Sequence, residues 1–262
     1  MATGPDQTAF ARCIAFLRRL DEQQAERRVP FRYGVAYFND SLPLVWSLNA
    51  LALQDGVTAS AEELSQVAER LQGPAGLRHR KVVTEDDAVG ARLAPGFRRL
   101  GWHAQPLVVM VYAGGGRPVS VADVHELDFG ELEPVWRAGA AFAMGAEEAA
   151  QVTGQRRIVG VAGSARYFAI RRDARVASYC ELYTDGELGQ IEGVLTEPPY
   201  RGRGLASAVV TRARLESEAA GHRLTFLIAD EDDWPRELYR KLGFTTIGRI
   251  WDFLRRPANR PP

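Results

Sequence analysis

Apolar residues recur at helical spacing from Thr8 to about Arg28, with Phe10, Ile14, Leu17 and Leu20 on one face, and Pro30 is expected to stop that helix. Phe31–Phe38 and Leu42–Leu48 read as strands joined by an Asn39-Asp40 turn. Ser60, with Glu63 three positions on, has the form of a capping box and predicts a helix to Leu71. Gly73-Pro74 and Gly76 break the chain, and His79–Thr84 reads as a strand. Ala88–Leu100 reads as a helix interrupted at Pro95-Gly96, and Leu107–Tyr112 as an apolar strand.

Beyond Ala113-Gly114-Gly115-Gly116-Arg117-Pro118 the pattern changes, so residues 113–119 are the expected linker between domains at 1–112 and 120–262. A strand is expected at Ser120–Leu127, helices at Glu131–Phe142 and Glu147–Arg156, and a hairpin of Ala165–Ile170 and Arg175–Tyr183 turning at Asp173. Leu188–Thr196 is the next strand, Gly204–Ala220 a helix, and Leu224–Ala229 a strand. A short helix around Tyr239 and a strand at Thr245–Leu254 follow. Helices and strands mixed in this order predict an α/β (α+β, mixed-sheet) fold.

Composition excludes several function classes. The 262 residues hold 46% apolar and 25% charged residues, and 33 basic side chains balance 33 acidic ones. A nucleic-acid binder would show a basic excess, so no nucleic-acid partner is expected. Lys81 and Lys241 are the only lysines, and the arginine preference reads as compositional bias. No segment approaches the ~20 apolar residues of a membrane span, and the N-terminus lacks a secretory pattern. Cys13 and Cys180 stand apart from any CxxC or Cys/His spacing, so no metal is expected and a cytoplasmic location is. His79, His103, His125 and His222 form no spaced cluster.

Chemistry concentrates between Gln190 and Val210. An apolar strand ends at Pro198-Pro199, Arg201-Gly202-Arg203-Gly204-Leu205-Ala206 follows, and a helix begins. Amides at a helix start lack intrahelical acceptors, and the dipole favours negative charge there. Gly202 and Gly204 admit a phosphate close to the backbone, and Arg201 and Arg203 add cationic donors. The ligand expected here is a pyrophosphate. No Gly-Lys-Ser/Thr follows, so this is not a P-loop, and it lacks the G-x-G-x-x-G dinucleotide fingerprint.

Arg201, Gly204 and Ala206, after Val194-Leu195-Thr196-Glu197-Pro198, resemble the Q/R-x-x-G-x-G/A acetyl-CoA loop of the GNAT N-acetyltransferase superfamily. Glu237-Leu238-Tyr239-Arg240-Lys241-Leu242-Gly243-Phe244 resembles that family's closing L-Y-x-x-L-G-F helix. The resemblance covers residues 120–254 and implies the GNAT acyl-CoA fold. It implies that the strand at Val194, Leu195 and Thr196 binds the pantetheine arm after splaying from its neighbour. The loop Arg201, Gly202, Arg203, Gly204, Leu205, Ala206 and Ser207 would hold the pyrophosphate of acetyl-CoA, the co-substrate. Tyr239 would protonate the departing thiolate, and Glu192 matches a glutamate many members carry in the strand. Asp232 departs from the family, which often has asparagine there, and Pro199 stiffens the loop.

The residues also read without that resemblance. Alternation places Gln190, Glu192 and Val194 on one face. Glu192 is the candidate general base, with Glu181 and Tyr183 on the neighbouring strand as competitors. Tyr239 is otherwise a packed aromatic, Cys180 a buried packing residue, and Asp230–Asp233 acidic residues at a helix start.

The two halves echo each other. Lys81-Val82-Val83-Thr84-Glu85-Asp86-Asp87 parallels Leu227-Ile228-Ala229-Asp230-Glu231-Asp232-Asp233, and Phe97-Arg98-Arg99-Leu100-Gly101-Trp102 parallels Tyr239-Arg240-Lys241-Leu242-Gly243-Phe244. A tandem chain with a degenerate N-terminal half is expected. Its equivalent of the loop falls at Asp55-Gly56-Val57, where the aspartate would repel phosphate, and Phe97 lacks the hydroxyl of Tyr239. The expected activity is direct acetyl transfer from acetyl-CoA to a primary amine of a small molecule or protein, by a monomer or homodimer. The alternatives are a CoA-binding sensor or scaffold without catalysis, or use of another acyl-CoA.

Overall fold

The computed structural model describes residues 4–257. Contacts divide the chain into two compact units that alternate along the sequence. The smaller joins Leu17–Val108 with the residues from Gly248, and the larger joins the residues up to Phe16 with Val109–Ile247.

Helix α1 (Gly4–Gln24) ends earlier than Pro30, and Pro30 lies inside strand β1 (Arg27–Phe31). β1 is the outermost strand, where a missing N–H costs nothing. β2 (Gly34–Phe38) pairs with it antiparallel through a turn at Arg32-Tyr33, not at Asn39-Asp40. The expected strand at 42–48 is instead a loop with one 3-10 turn at Trp46–Leu48. The buried Asn49 side chain causes this: its amide donates to the carbonyls of Leu42 (3.0 Å) and Val45 (2.9 Å), and its oxygen accepts from Asn39 N–H (3.0 Å). β3 (Leu51–Leu53), α2 (Ala61–Gln72), β4 (Arg80–Thr84) and α3 (Asp87–Arg99) follow. Ser60 caps α2 by accepting from Glu63 N–H at 3.2 Å, as its spacing predicts. α3 runs unbroken through Pro95-Gly96, and the missing Cβ of Gly96 lets it lie against Ala61 of α2.

The smaller unit orders its strands β1-β2-β3-β4, with the end of β11 (Phe244–Arg255) beside β4. β2 and β3 are antiparallel, β3 and β4 parallel, and Trp251–Arg255 pairs antiparallel with Arg80–Thr84. Phe253 stacks on Phe97 with centroids 4.5 Å apart, and Trp251 Nε1 donates to Asp87 Oδ1 at 2.9 Å. Gly90 leaves the room that the Trp251 indole fills.

The larger unit takes up β5 (His103–Tyr112) from Val109 onward. It continues with β6 (His125–Leu127), shorter than the expected 120–127, then α4 (Phe129–Ala143) and α5 (Ala146–Ala162). β7 (Arg166–Arg172) and β8 (Arg175–Thr184) form the expected hairpin, with Asp173 and Ala174 at positive φ. β9 (Leu188–Thr196), α6 (Leu205–Ala219), β10 (Leu224–Asp230) and α7 (Pro235–Lys241) complete it. The strand order is β5-β10-β9-β8-β7-β6. β7–β8 and β8–β9 are antiparallel and β9–β10 parallel, the same succession as β1 to β4. Residues 113–117 are tied to the end of α7: Ala113 N–H donates to Gly243 O (2.9 Å) and Arg117 N–H to Lys241 O (3.0 Å).

The echo between the halves is structural. Leu100 N–H points at the carbonyls two, three and four residues back, and Leu242 N–H repeats all three contacts. Gly101 (φ 76°) and Gly243 (φ 92°) then turn the chain into β5 and β11. Both glycines take the left-handed conformation that closes a helix.

Candidate active site at the parting of two strands

β9 and β10 pair in parallel from Leu188/Leu224 to Ile191/Leu227 and no further. A pocket of about 310 Å³ opens beyond that point, lined by Glu192, Val194 and Leu195 from β9 and by Ala229 and Asp230 from β10, with Tyr239 from α7. The splay implied by the family resemblance is therefore present. Two strands that separate expose backbone groups no longer used by the ladder, and an extended ligand can hydrogen-bond to them.

A β-bulge shapes the β9 wall. Glu181 pairs with Glu192 but Tyr179 pairs with Leu195, so β9 carries one residue more than β8 here. Gly193 occupies the bulge at φ 61°, where a Cβ would come within 2.6 Å of Glu181 Oε1. Alternation holds from Gln190 to Glu192, whose side chains hydrogen-bond at 3.0 Å, and is interrupted at Gly193 before Val194. Thr196 lies past the pocket, its hydroxyl 2.9 Å from Ser178 Oγ and its carbonyl accepting from Arg201 Nε at 3.1 Å.

The two glutamates differ in their surroundings. Glu181 is fully buried, ion-paired to Arg156 and accepting from Tyr183 O–H at 2.5 Å. Arg156 reaches it from α5, its guanidinium 4.9 Å over the Trp136 ring. Glu192 faces the pocket, and burial raises its pKa above the ordinary 4.5 despite the Gly193 N–H that it accepts at 3.2 Å and the nearby Arg156 and Gln190. Tyr239 is buried against Phe244 with centroids 6.3 Å apart. Its hydroxyl pKa is pushed up by burial first, then by the charge of Glu192, so the phenol holds its proton.

The loop at the head of α6 has open ground around it. Gly202 (φ 75°) and Gly204 (φ 78°) are both left-handed, and nothing lies within 4 Å of a Cβ built on either. Gly204 precedes Leu205, Ala206 and Ser207, whose amides open α6 without a side-chain cap or an acidic residue in the first turn. Arg203 lies 5.8 Å over the Tyr200 ring, and Ser207 Oγ accepts from Arg117 at 2.9 Å. A glycine cradle, open amides and arginines fit a pyrophosphate.

The corresponding place in the smaller unit, between parallel β3 and α2, is internally satisfied. Gly56 N–H donates to Asp86 Oδ2 at 3.0 Å, Ser60 caps α2, and Glu62 and Glu63 fill its first turn. The carbonyls of Val57 and Ala59 are held by the Arg92 guanidinium at 2.5 and 3.0 Å.

The cysteines and histidines do not line the pocket. Cys180 is buried and donates to Val209 O at 3.3 Å, and burial also pushes the Cys13 thiol up to about 12. His79 is buried on Asn49 O (3.1 Å), with a pKa lowered to about 4 by burial, and His222 sits between Ser217 and Thr184. Among the described residues no group of His, Cys, Asp or Glu could hold a metal ion. Also among them, no helix is long and apolar enough to cross a membrane. The acidic run differs from its expected capping role: β10 extends to Asp230, Asp230 and Asp233 line the pocket, and Trp234 is the residue before α7. Sequence reasoning missed Gly193, Arg156 and Arg117. A glycine inside an apolar strand is the signal that pointed to the bulge, whereas the arginines carried none.

Residues 121–244 match the model of the Acetyltransferase (GNAT) family. No curated protein matches the sequence. Solved structures share the fold at low identity. A GCN5-related N-acetyltransferase from Kribbella flavida is 19% identical, with a TM-score of 0.59 over 94% of each chain. A functionally unknown conserved protein from Staphylococcus epidermidis is 14% identical, with a TM-score of 0.65 over 87% of this chain and 93% of that one. A tandem GNAT protein from the clavulanic acid biosynthesis pathway is 14% identical, with a TM-score of 0.52 over 80% of this chain and 74% of that one. Residues 121–244 thus form a domain of the Acetyltransferase (GNAT) family, and the succession of strands within it is repeated in the N-terminal part of the chain.

Proposed function

We propose that the protein transfers an acetyl group directly from acetyl-CoA to a primary amine. The observation that carries this reading is the pocket where β9 and β10 part, with Glu192 and Tyr239 on its walls and the open Gly202–Gly204 loop following β9. The amides of Gly204–Ser207 and the Arg201 and Arg203 guanidinia hold the pyrophosphate. The β9 backbone at Val194–Thr196 binds the pantetheine arm and donates to the thioester oxygen.

Glu192, directly or through water, takes the proton of the incoming ammonium, and its raised pKa suits that task. The free amine attacks the thioester carbon, a C–N bond forms, the C–S bond breaks, and the second proton that the nitrogen must lose leaves to solvent, as does the one taken up by Glu192. Tyr239 gives its proton to the leaving thiolate and regains one from solvent. The smaller unit is a silent half on this reading, because Asp86, Ser60 and the α2 glutamates occupy the place of the phosphate. Asp230 and Asp233 favour a cationic acceptor.

Calorimetric titration with acetyl-CoA tests the reading. One site per chain is expected, with Gly204→Asp abolishing it. Retained affinity in Gly204→Asp would remove the loop from the reading, and two sites per chain would overturn the silent half. Tight binding without turnover on any amine would favour a sensor or scaffold.

A further inference from the structure

Four polar side chains share one face of β8 and β9, because Glu181 stands opposite Glu192 and Tyr183 opposite Gln190 in the antiparallel register. On each strand the residue two positions away donates to the glutamate. Tyr183 O–H donates to Glu181 at 2.5 Å, and Gln190 Nε2 donates to Glu192 Oε2 at 3.0 Å. The β8 pair is closed by Arg156, whereas Glu192 opens on the pocket. Gln190 itself is 4% exposed, and its Oε1 is buried with no hydrogen-bond partner among the described residues. An orphaned carbonyl oxygen costs stability that a methionine of similar volume would not. Turning the amide over gives no relief, because Oε1 would then face the Glu192 carboxylate.

Resting on the reading of Glu192 as the base, we infer that Gln190 is its positioning residue, an amide kept in the core to hold the Glu192 carboxylate ionised and aimed at the acceptor. Gly193 N–H grips Oε1 of that carboxylate at 3.2 Å and Gln190 grips Oε2, so both oxygens are fixed and each keeps a lone pair for the incoming proton. Burial without donors would leave the group protonated and useless as a base. Burial does raise the Glu192 pKa, and the Gly193 N–H, the Arg156 charge and the Gln190 amide pull it back. Among the described residues, the titratable groups that face Glu192 from the neighbouring elements are Glu181, Tyr179 and Tyr183 of β8, Arg156 of α5, Asp230 of β10, Asp233, and Tyr239 of α7. Glu181 and Arg156 offset each other, and burial keeps the three phenols protonated. All of them stay in place when Gln190 is replaced, so a shift of Glu192 between wild type and variant reports the amide.

The test follows the Glu192 carboxyl carbon by NMR titration of protein carrying 13C-labelled glutamate, its signal assigned by its loss in Glu192→Gln. In Gln190→Met the Glu192 midpoint is expected to rise by about one pH unit or more, the worth of a hydrogen bond to a charged group. In Gln190→Glu it should rise further, since two adjacent buried carboxylates share a proton. The sign for stability follows. Losing the amide penalises only the ionised form in the folded state, so Gln190→Met should lose thermal stability above the raised midpoint and approach the wild type below it. An unmoved midpoint in Gln190→Met, or a midpoint in Gln190→Glu no higher than in Gln190→Met, would overturn the assignment. A stability loss independent of pH, or failure of Gln190→Met to fold, would make Gln190 a packing residue and overturn it too. The rate of Glu192→Gln decides separately whether Glu192 is the base, so the two readings fail by different measurements.

Discussion

Glu181 and Glu192 stand in register on neighbouring antiparallel strands, but Glu181 is ion-paired to Arg156 and accepts from Tyr183, whereas Glu192 accepts from Gln190 and the Gly193 N–H and lines the pocket. The two carboxylates thereby take different roles. Glu192→Gln is expected to lower kcat by roughly 10²–10⁴, the usual worth of a positioned base, with little change in folding stability. The pH profile supplies the sign. Glu192 acts as a carboxylate, and burial raises its pKa above the ordinary value. The acidic limb of kcat/KM therefore sits higher in pH than for an exposed glutamate, and the rate falls as pH drops through that raised pKa. A profile whose acidic limb is unchanged in Glu192→Gln would assign the base elsewhere.

Tyr239→Phe removes one hydroxyl from a buried, proton-holding phenol. Turnover should fall by about tenfold or more at saturating substrate, with CoA affinity nearly unchanged. Chemistry should then slow relative to product release, visible in single-turnover measurements. An unaltered rate would leave Tyr239 as a packing residue against Phe244.

The Arg156–Glu181 pair calls for a double-mutant cycle. Arg156→Met leaves a fully buried carboxylate without its cation and should cost about 3–5 kcal/mol of stability in denaturant unfolding. The double variant Arg156→Met/Glu181→Met should recover part of that loss, since a well-packed apolar pair replaces two desolvated charges. Additive losses would mean that the pair is not coupled.

Gly193→Ala tests the bulge. It places a methyl group at positive φ and against the Glu181 carboxylate. The conformational strain alone is worth roughly 1–3 kcal/mol. Both stability and activity should fall, whereas Gly202→Ala carries the positive-φ strain but meets open space, so its loss of stability should be the smaller.

Much of this architecture was legible in the chain. The Ser60 cap, the Asp173 turn, the strand into the Arg201–Ala206 loop and the paired helix ends at Leu100 and Leu242 follow from local chemistry, which sequence encodes within a few residues. The misread parts are governed by distant partners. Asn49 draws 42–48 away from strand pairing through side-chain bonds that no periodicity reveals. Pro30 entered a strand because β1 lies at an edge, a fact about neighbours. At the site, Glu192 and Tyr239 were found by motif, but Arg156 reaches the pocket only because α5 places it over Trp136. The bulge at Gly193 likewise needs the register of β8 to be seen.

The smaller unit draws its last strand, Trp251–Arg255, from far beyond the rest of its sequence. A ribosome makes Leu17–Val108 first and that strand on the order of ten seconds later at ordinary synthesis rates. During the interval β4 has an open edge and Phe97 lacks Phe253, so this body waits in an incomplete state while the larger one is still being made. Dividing the gene at residues 113–119 is therefore expected to leave the smaller unit without its last strand, and a stop codon placed after Ile247 is expected to damage the body formed by Leu17–Val108, made long before that strand.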